Sequence, residues 1–322
     1  MIVHDLDIAK GWIDLADPRL GTEVVHANDD FFADKARLIQ REEPVFIPGK
    51  YDDHGKWMDG WESRRRRVPG HDHCVIRLGK PGLIRGFEID TRFFTGNYPP
   101  GASIDVCVSD QRIPTDDAWE ELVPKLELAG DSRLAVPAHT DRPVTHVRLH
   151  IYPDGGVARL RIYGQVVTQF APGAQVDLAA MVNGALPVTA NNEHFGKVSF
   201  MLQPGKSVNM GDGWETRRRR EPGHDWAIVK LAGTGIIDRF LVDTNHFKGN
   251  YPDRCSIQGG PESGDLQSAE HWPLLLPEQK LAADKEHIFE KEILPHAPVR
   301  WLRLNIFPDG GIARLRAFGK PA

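Results

Sequence analysis

The sequence predicts an all-β chain made of two tandem jelly-roll β-sandwich repeats. Three observations carry that expectation. A long motif occurs twice, the apolar runs are short and mostly alternate with polar residues, and Gly- and Pro-containing turns separate them while helical periodicity stays weak. The repeated motif runs from Asp59 to Asp72 and again from Asp212 to Asp225; of its fourteen positions only two differ, Ser63 against Thr216 and Val68 against Glu221. Asp90–Pro99 matches Asp243–Pro252 at seven of ten positions, and Arg148–Gly164 matches Arg303–Gly319 at twelve of seventeen. Asp59 to Asp90 and Asp212 to Asp243 are both steps of 31 residues, so the intervening backbone reads as a packed scaffold. Repeats this long are copies of a domain, since solenoid units span about 20–50 residues. A chain of 322 residues also suits two domains better than one, at about 150 residues each.

Taken in order, Met1–Ala16 lacks the basic-then-apolar pattern of a signal peptide. Phe31–Ile39 is the best short helical candidate. Cys74–Leu78 and Ala227–Leu231 are short apolar runs, and Leu83–Asp90, Ile236–Asp243 and Ser103–Val108 alternate as half-buried strands do. Val147–Tyr152, the turn Pro153–Gly156 and Ala158–Gly164 read as a hairpin. These elements place a first repeat at 20–165, a linker with room for one helical turn at 166–188, and a second repeat at 189–320. The first repeat is three residues longer before its motif, where it carries Tyr51-Asp52-Asp53-His54.

The net charge of −5 argues against nucleic acid as a partner despite the arginine runs. Three cysteines (Cys74, Cys107 and Cys255) form no Cys-x-x-Cys pair, and no apolar stretch approaches membrane-spanning length. A reducing compartment, the cytoplasm, without membrane association is therefore expected. Gly-rich phosphate loops, Gly-x-Ser-x-Gly and His-Glu-x-x-His are absent, which disfavours nucleotide use and serine-triad acyl transfer.

The repeated motif concentrates reactive groups. As an extended strand, Glu62, Arg64 and Arg66 would share one face, with Trp61, Ser63, Arg65 and Arg67 on the other. Guanidinium groups on both faces cannot be buried unpaired. They form either a solvated edge that deters aggregation or two-pronged grips on a carboxylate. His71-Asp72 and His224-Asp225 follow a Pro-Gly turn; each pair could exchange protons or merely stabilise the turn. Asp90, Asn97 and Tyr98, with their counterparts Asp243, Asn250 and Tyr251, form either a polar ligand cradle or turn caps. His71 and His73, with Asp52, Asp53 and His54 nearby, offer a divalent metal as a lesser alternative. The second repeat has Trp226 in place of His73, and no metal or other cofactor is the leading expectation. The Pro-Asp-Gly-Gly turns read mainly as structural.

Together and in order, Asp-Gly-Trp-Glu-(Ser/Thr)-Arg-Arg, Gly-His-Asp, Asp-Thr-x-x-Phe-x-Gly-Asn-Tyr-Pro and Pro-Asp-Gly-Gly-(Val/Ile)-Ala-Arg-Leu-Arg resemble the allantoicase (allantoate amidinohydrolase) family from about Leu20 to Gly319. The resemblance implies two galactose-binding-like jelly rolls, a homo-oligomer, and hydrolysis of allantoate to ureidoglycolate and urea in allantoin (purine) catabolism. The substrate is a small anion with a carboxylate and two ureido groups on one carbon. For that chemistry the expected clamp is Arg64 or Arg66, or Arg217 or Arg219. Glu62 with His71 and Asp72, or Glu215 with His224 and Asp225, would exchange protons. Asp90, Asn97, Tyr98, Asp243, Asn250 and Tyr251 would bind the ureido groups. Near-identity of the motifs leaves both repeats as candidates. The competing reading is a non-catalytic pair of sandwiches that binds a sugar or small acidic ligand.

Overall fold

One long strand organises each unit. In the computed structural model, which describes residues 11–322, Asp72–Asp90 is continuous in the first unit and Asp225–Asp243 is its counterpart in the second. The first ten residues, on which part of the signal-peptide reading rests, lie outside the described residues. The first unit ends at Val167 and the second begins at Thr168.

The expected separate strands Cys74–Leu78 and Leu83–Asp90 are thus halves of one. The first half pairs with Glu23–Ala27 on one side and Val144–Tyr152 on the other; Gly101–Cys107 and Glu120–Glu127 extend that sheet. The second half pairs with Arg133–Pro137 and Arg159–Val166, and Ile13–Asp14 lies beyond the latter. The strand therefore passes from one layer of the sandwich to the other, and glycines make the crossing. A Cβ on Gly79 would stand 2.1 Å from the Leu20 carbonyl oxygen, and one on Gly82 would stand 2.5 Å from Leu15 Cδ1. Backbone approach that close excludes a side chain. Gly235 does the same in the second unit, 2.6 Å from the Lys320 oxygen.

Between the layers, alternation buries Cys74, Ile76, Ile104, Leu149 and Ile151 against Phe87, Ile89, Leu160 and Ile162. Each large apolar side chain removed from water in this way contributes roughly 1.5–3 kcal/mol. All-β tandem sandwiches are what the alternating pattern required. Among the described residues no helix is long and apolar enough to cross a membrane.

Three local expectations are corrected. Val144–Tyr152 and Arg159–Val166 do not pair as a hairpin. Each binds the long strand instead, so Pro153–Gly156 bridges the two layers. Of Phe31–Ile39, only Lys35–Ile39 is helical, as a 3-10 turn capped by Asp34; the Phe32 and Ala33 N–H groups donate instead to the Glu62 carbonyl. The supposed linker 166–188 is mostly part of the second unit. Val176–Asp177 pairs with Gly319 and Phe318, and Leu178 and Ala179 are fully buried. Ile13–Asp14 pairs equivalently with Gly164 and Tyr163, so the first repeat starts before residue 20.

These opening strands share a device. Asp14 Oδ1 accepts from the Ala16 and Ile162 N–H groups, both at 2.9 Å, and Asp177 Oδ1 accepts from those of Ala179 and Ala317. Burial pushes the Asp14 carboxyl up to about 6, against the pull of Arg161. Burial raises Asp177 too, opposed first by Arg316. A carboxyl raised on folding holds its proton more tightly in the native state, so its contribution is present at low pH and lost as pH rises from 3.8 through about 6. Relative to Asp14→Asn, the unsubstituted chain should lose roughly 3 kcal/mol across that window. Denaturant unfolding at a series of pH values checks this; parallel stability curves for the two proteins would refute it.

Candidate active site

Each repeated motif is pinned by a buried ion pair. Arg159, 1% exposed, holds Asp59 Oδ2 through Nη2 at 2.9 Å and donates through Nη1 to the Asp59 and Ala158 carbonyls. Arg314 holds Asp212 in the same way at 2.7 Å. The next residue, Gly60, leaves no room for a side chain, since its Cβ would meet the Val157 oxygen at 2.5 Å. Trp61 then drops fully into the interior, and its indole N–H donates to the Asp29 carbonyl at 2.8 Å; Trp214 repeats this with Asn192 at 2.9 Å.

Glu62 is thereby fixed from both sides. Its backbone pairs with Ala33 and with Gly156. The side chain accepts from Asn97 Nδ2 at 2.7 Å, while the Asn97 carbonyl accepts from the Gly156 N–H at 2.7 Å. Ser63 meets the Gly155 backbone, and Asp154 Oδ2 accepts from the Arg66 N–H at 2.7 Å. The Pro-Asp-Gly-Gly glycines are needed here because a Cβ on Gly156 would strike the Phe94 ring at 2.0 Å, and one on Gly155 would meet Pro99 N at 2.6 Å.

These residues enclose an open cleft of about 440 Å³ with Glu62, Arg65, Arg66, Asn97, Tyr98 and Asp154 in its wall. The second unit builds a matching cleft, about 550 Å³, from Glu215, Arg218, Arg219, Asn250, Tyr251 and Asp309, with Asp253 where the first has Pro100, and Asn250 donates to Glu215. Burial raises the Glu62 carboxyl above the ordinary glutamate range, partly opposed by the Asn97 hydrogen bond. The cleft thus joins a half-desolvated carboxyl to guanidinium and amide donors, which suits a small anion that must exchange protons.

Glu62, Arg66, Asn97 and Tyr98, with Glu215, Arg219, Asn250 and Tyr251, are therefore brought together. The other expected residues are placed elsewhere. Arg64 is drawn away by Asp29, with its backbone N–H at 3.0 Å and its Nε at 2.7 Å from that carboxylate. Arg217 is absent from the cleft wall as well. Asp72 and Asp225 are buried counter-ions of Arg66 and Arg219, at 2.5 and 2.7 Å, so they are not free to handle substrate protons. Asp90 is buried and spent on the backbone and side chain of Arg92, and Asp243 caps Asn245 in the same position. His71 Nε2 meets His150 Nδ1 at 2.8 Å, and His224 Nε2 meets Asn305 Oδ1 at 3.1 Å; neither histidine lines a cleft.

Of the residues weighed for a metal, His71 is engaged by His150 and His54 stacks on Phe31 with ring centroids 4.6 Å apart; among the described residues no group of three His, Cys, Asp or Glu is placed to hold an ion. Sequence reasoning missed Arg65, Arg218, Asp154 and Asp309. The arginines were sorted by strand periodicity, yet only Trp61–Glu62 is strand, and residues 63–67 run as irregular chain. The aspartates were hidden in turns read as structural.

The ion pair that holds each motif can be tested. Asp59→Ala strands the Arg159 guanidinium in the interior and should cost about 3 kcal/mol in chemical denaturation. A loss below about 1 kcal/mol would show that the pair does not hold the loop.

Comparison with known proteins follows this geometry. A family model described as the allantoicase repeat matches residues 13–167 and 176–322. A "Probable allantoicase 2" of Burkholderia pseudomallei (strain K96243) is 57% identical over 322 residues, 97% of this chain and 96% of that protein. A "Probable allantoicase" of Pseudomonas aeruginosa (strain UCBPP-PA14) is 52% identical over 321 residues, 97% of each. The crystal structure of allantoicase from Saccharomyces cerevisiae superposes with a TM-score of 0.73 at 37% identity, covering 97% of this chain and 94% of that one.

Proposed function

This chain belongs to the allantoicase family, and we propose that it hydrolyses allantoate to ureidoglycolate and urea at the cleft built on Glu62. The observation that carries this reading is the juxtaposition of a buried carboxyl, held by Asn97 at 2.7 Å, with Arg65 in the same open cleft. Among the described residues the Arg65 guanidinium has no hydrogen-bond or ion-pair partner, so it is available to take the substrate carboxylate by two parallel N–H donations. It replaces Arg64 in that role, and Arg218 replaces Arg217 in the second unit.

In the reaction the bond between the central carbon and one ureido nitrogen breaks. Glu62, inclined by burial to hold a proton, delivers it to that nitrogen as urea departs. A water oxygen bonds to the central carbon and returns a proton to the Glu62 carboxylate, so the residue ends as it began. The same proton traffic serves whether water adds directly or to an imine left after urea departs. Tyr98 and the remaining donors of the cleft wall orient the ureido groups. His71 and Asp72 stand outside this scheme. Burial of all three cysteines as free thiols supports residence in the cytoplasm, and the family resemblance supports a homo-oligomer.

The first unit is favoured as the catalytic one because Glu62 is buried whereas its counterpart Glu215 is only half-buried. Glu62→Gln should lower kcat about 10²–10⁴-fold in a urea-release assay, while Glu215→Gln retains most activity. The opposite pattern would move catalysis to the second unit. Full activity in the double variant would remove both glutamates from the chemistry.

A further inference from the structure

The two units treat the arginine that follows Ser63 or Thr216 in different ways. In the first, Asp29 Oδ1 accepts from the Phe31 and Arg64 N–H groups, and Oδ2 accepts from Arg64 Nε at 2.7 Å. The Arg64 guanidinium also lies 5.1 Å from the centroid of the Phe31 ring. In the second unit Asn192 stands in place of Asp29. Its Oδ1 keeps the same two duties, accepting from the His194 and Arg217 N–H groups at 3.1 and 3.2 Å. That fixes the amide orientation and leaves Nδ2, a donor, where the first unit has an accepting oxygen.

A donor cannot hold a guanidinium, so Arg217 is released. Among the described residues the Arg217, Arg218 and Arg220 guanidinium groups have no hydrogen-bond or ion-pair partner, and all three border a cavity of about 580 Å³ together with Asn192. Arg217 also borders an adjoining cavity with His194 and Lys197, at the positions of Phe31 and Asp34 in the first unit. Two exchanges (Asp to Asn and Phe to His) favour an anion here; Lys197 is paired with Glu193 at 3.6 Å and is offset by Val198 in place of Lys35, and Glu221 in place of Val68 opposes by a single charge.

We propose that the second unit carries an anion site, centred on Arg217 with Arg220 and Asn192 Nδ2, that takes a dianionic phosphate group. Such a group presents several oxygens to guanidinium groups that have no partner among the described residues, and guanidinium pairs with it bidentately. The site is distinct from the Glu215 cleft, with which it shares only the arginines 218 and 219 that run between them.

Calorimetric titration of the full chain with inorganic phosphate, against chloride at matched ionic strength, tests the assignment. One saturable site per chain is expected. Asn192→Asp recreates the first unit's ion pair without disturbing the Oδ1 hydrogen bonds, and it should weaken binding at least tenfold. Arg217→Gln should do the same by removing the central donor. A parallel titration with glycerol phosphate identifies the natural form of the group: tighter binding than inorganic phosphate marks an esterified ligand, weaker binding a free ion. Undiminished affinity in either variant, with melting temperatures unchanged, would overturn the proposal, as would heat no greater than that of chloride.

Discussion

A guanidinium buried under the repeated motif is the constraint on which each unit depends. Arg159 and Arg314, at the first position of the strands Arg159–Val166 and Arg314–Pro321, are almost wholly removed from water. Interiors accept such a charge only when it is paired and its remaining N–H groups are satisfied. The chain meets that demand with one carboxylate and several main-chain carbonyls, including that of Asp59 or Asp212 itself. The pair therefore ties the loop before the motif to the strand after the Pro-Asp-Gly-Gly bridge. The backbone between is stitched at Glu62 to Gly156 and at Trp61 to Val157. With both ends fixed, the Glu62 carboxyl has a defined direction, and Asn97 meets it across the cleft. Preorganisation of this kind is what allows one carboxyl to act on a small substrate without paying for reorganisation in the reacting state.

Much of this scaffold was legible in the sequence because its causes are local and repeated. Alternation marked the strands, and duplication marked the units. The repeated motifs mark both Glu62 and Asn97 as candidate site residues, without saying that the two touch. What escaped was whatever depends on which strands meet. The Pro153–Gly156 turn looks locally like a hairpin, yet the long strand offers both of its halves as partners, and a bridge between layers results. The entry strand Val176–Asp177 shares only Asp-Leu-Ala with its counterpart, too little to extend the repeat by eye. Charge pairing was invisible for the same reason. Asp29 lies 35 residues from Arg64, and nothing in the arginine run says which member it claims.

The four consecutive arginines illustrate the point, since each meets a different environment. Arg64 is held by Asp29, and Arg66 is held by Asp72, while Arg65 reaches the cleft. Treating the run as a strand grouped Arg64 with Arg66, because alternation is the rule for extended, paired chain. The run is irregular and unpaired, so each side chain answers to its own neighbour. Irregular backbone is where sequence periodicity carries least information, and it is also where function concentrates.

Divergence between the units reaches the outer face of the sheet beside each cleft. In the first, Arg148 and His150 share Asp105, His150 meets His71, and the His71 ring lies against Tyr152, whose neighbour Pro153 lines the cleft. Burial and the nearby His150 and Arg148 hold His73 down to about 4, and burial with His150 lowers His71 too. His71 and His73 therefore favour the neutral form. In the second unit the corresponding positions hold Gln258, Asn305, Trp226 and Phe307, and Asn305 donates to Ser256 and Gln258 instead. Of the histidines His71, His73 and His150, the second unit keeps only the counterpart of His71, which is His224. The duplicated framework has thus kept its clamp, its tryptophan peg and its Glu–Asn contact in both copies, while the surrounding charges have separated. Burial is the leading influence on the Glu62 carboxyl, with Asn97 and Lys56 opposing it. The clefts also differ in their own walls, where Asp253 of the second stands in place of Pro100 of the first, so two copies of one framework can differ in chemistry through the residues that line them.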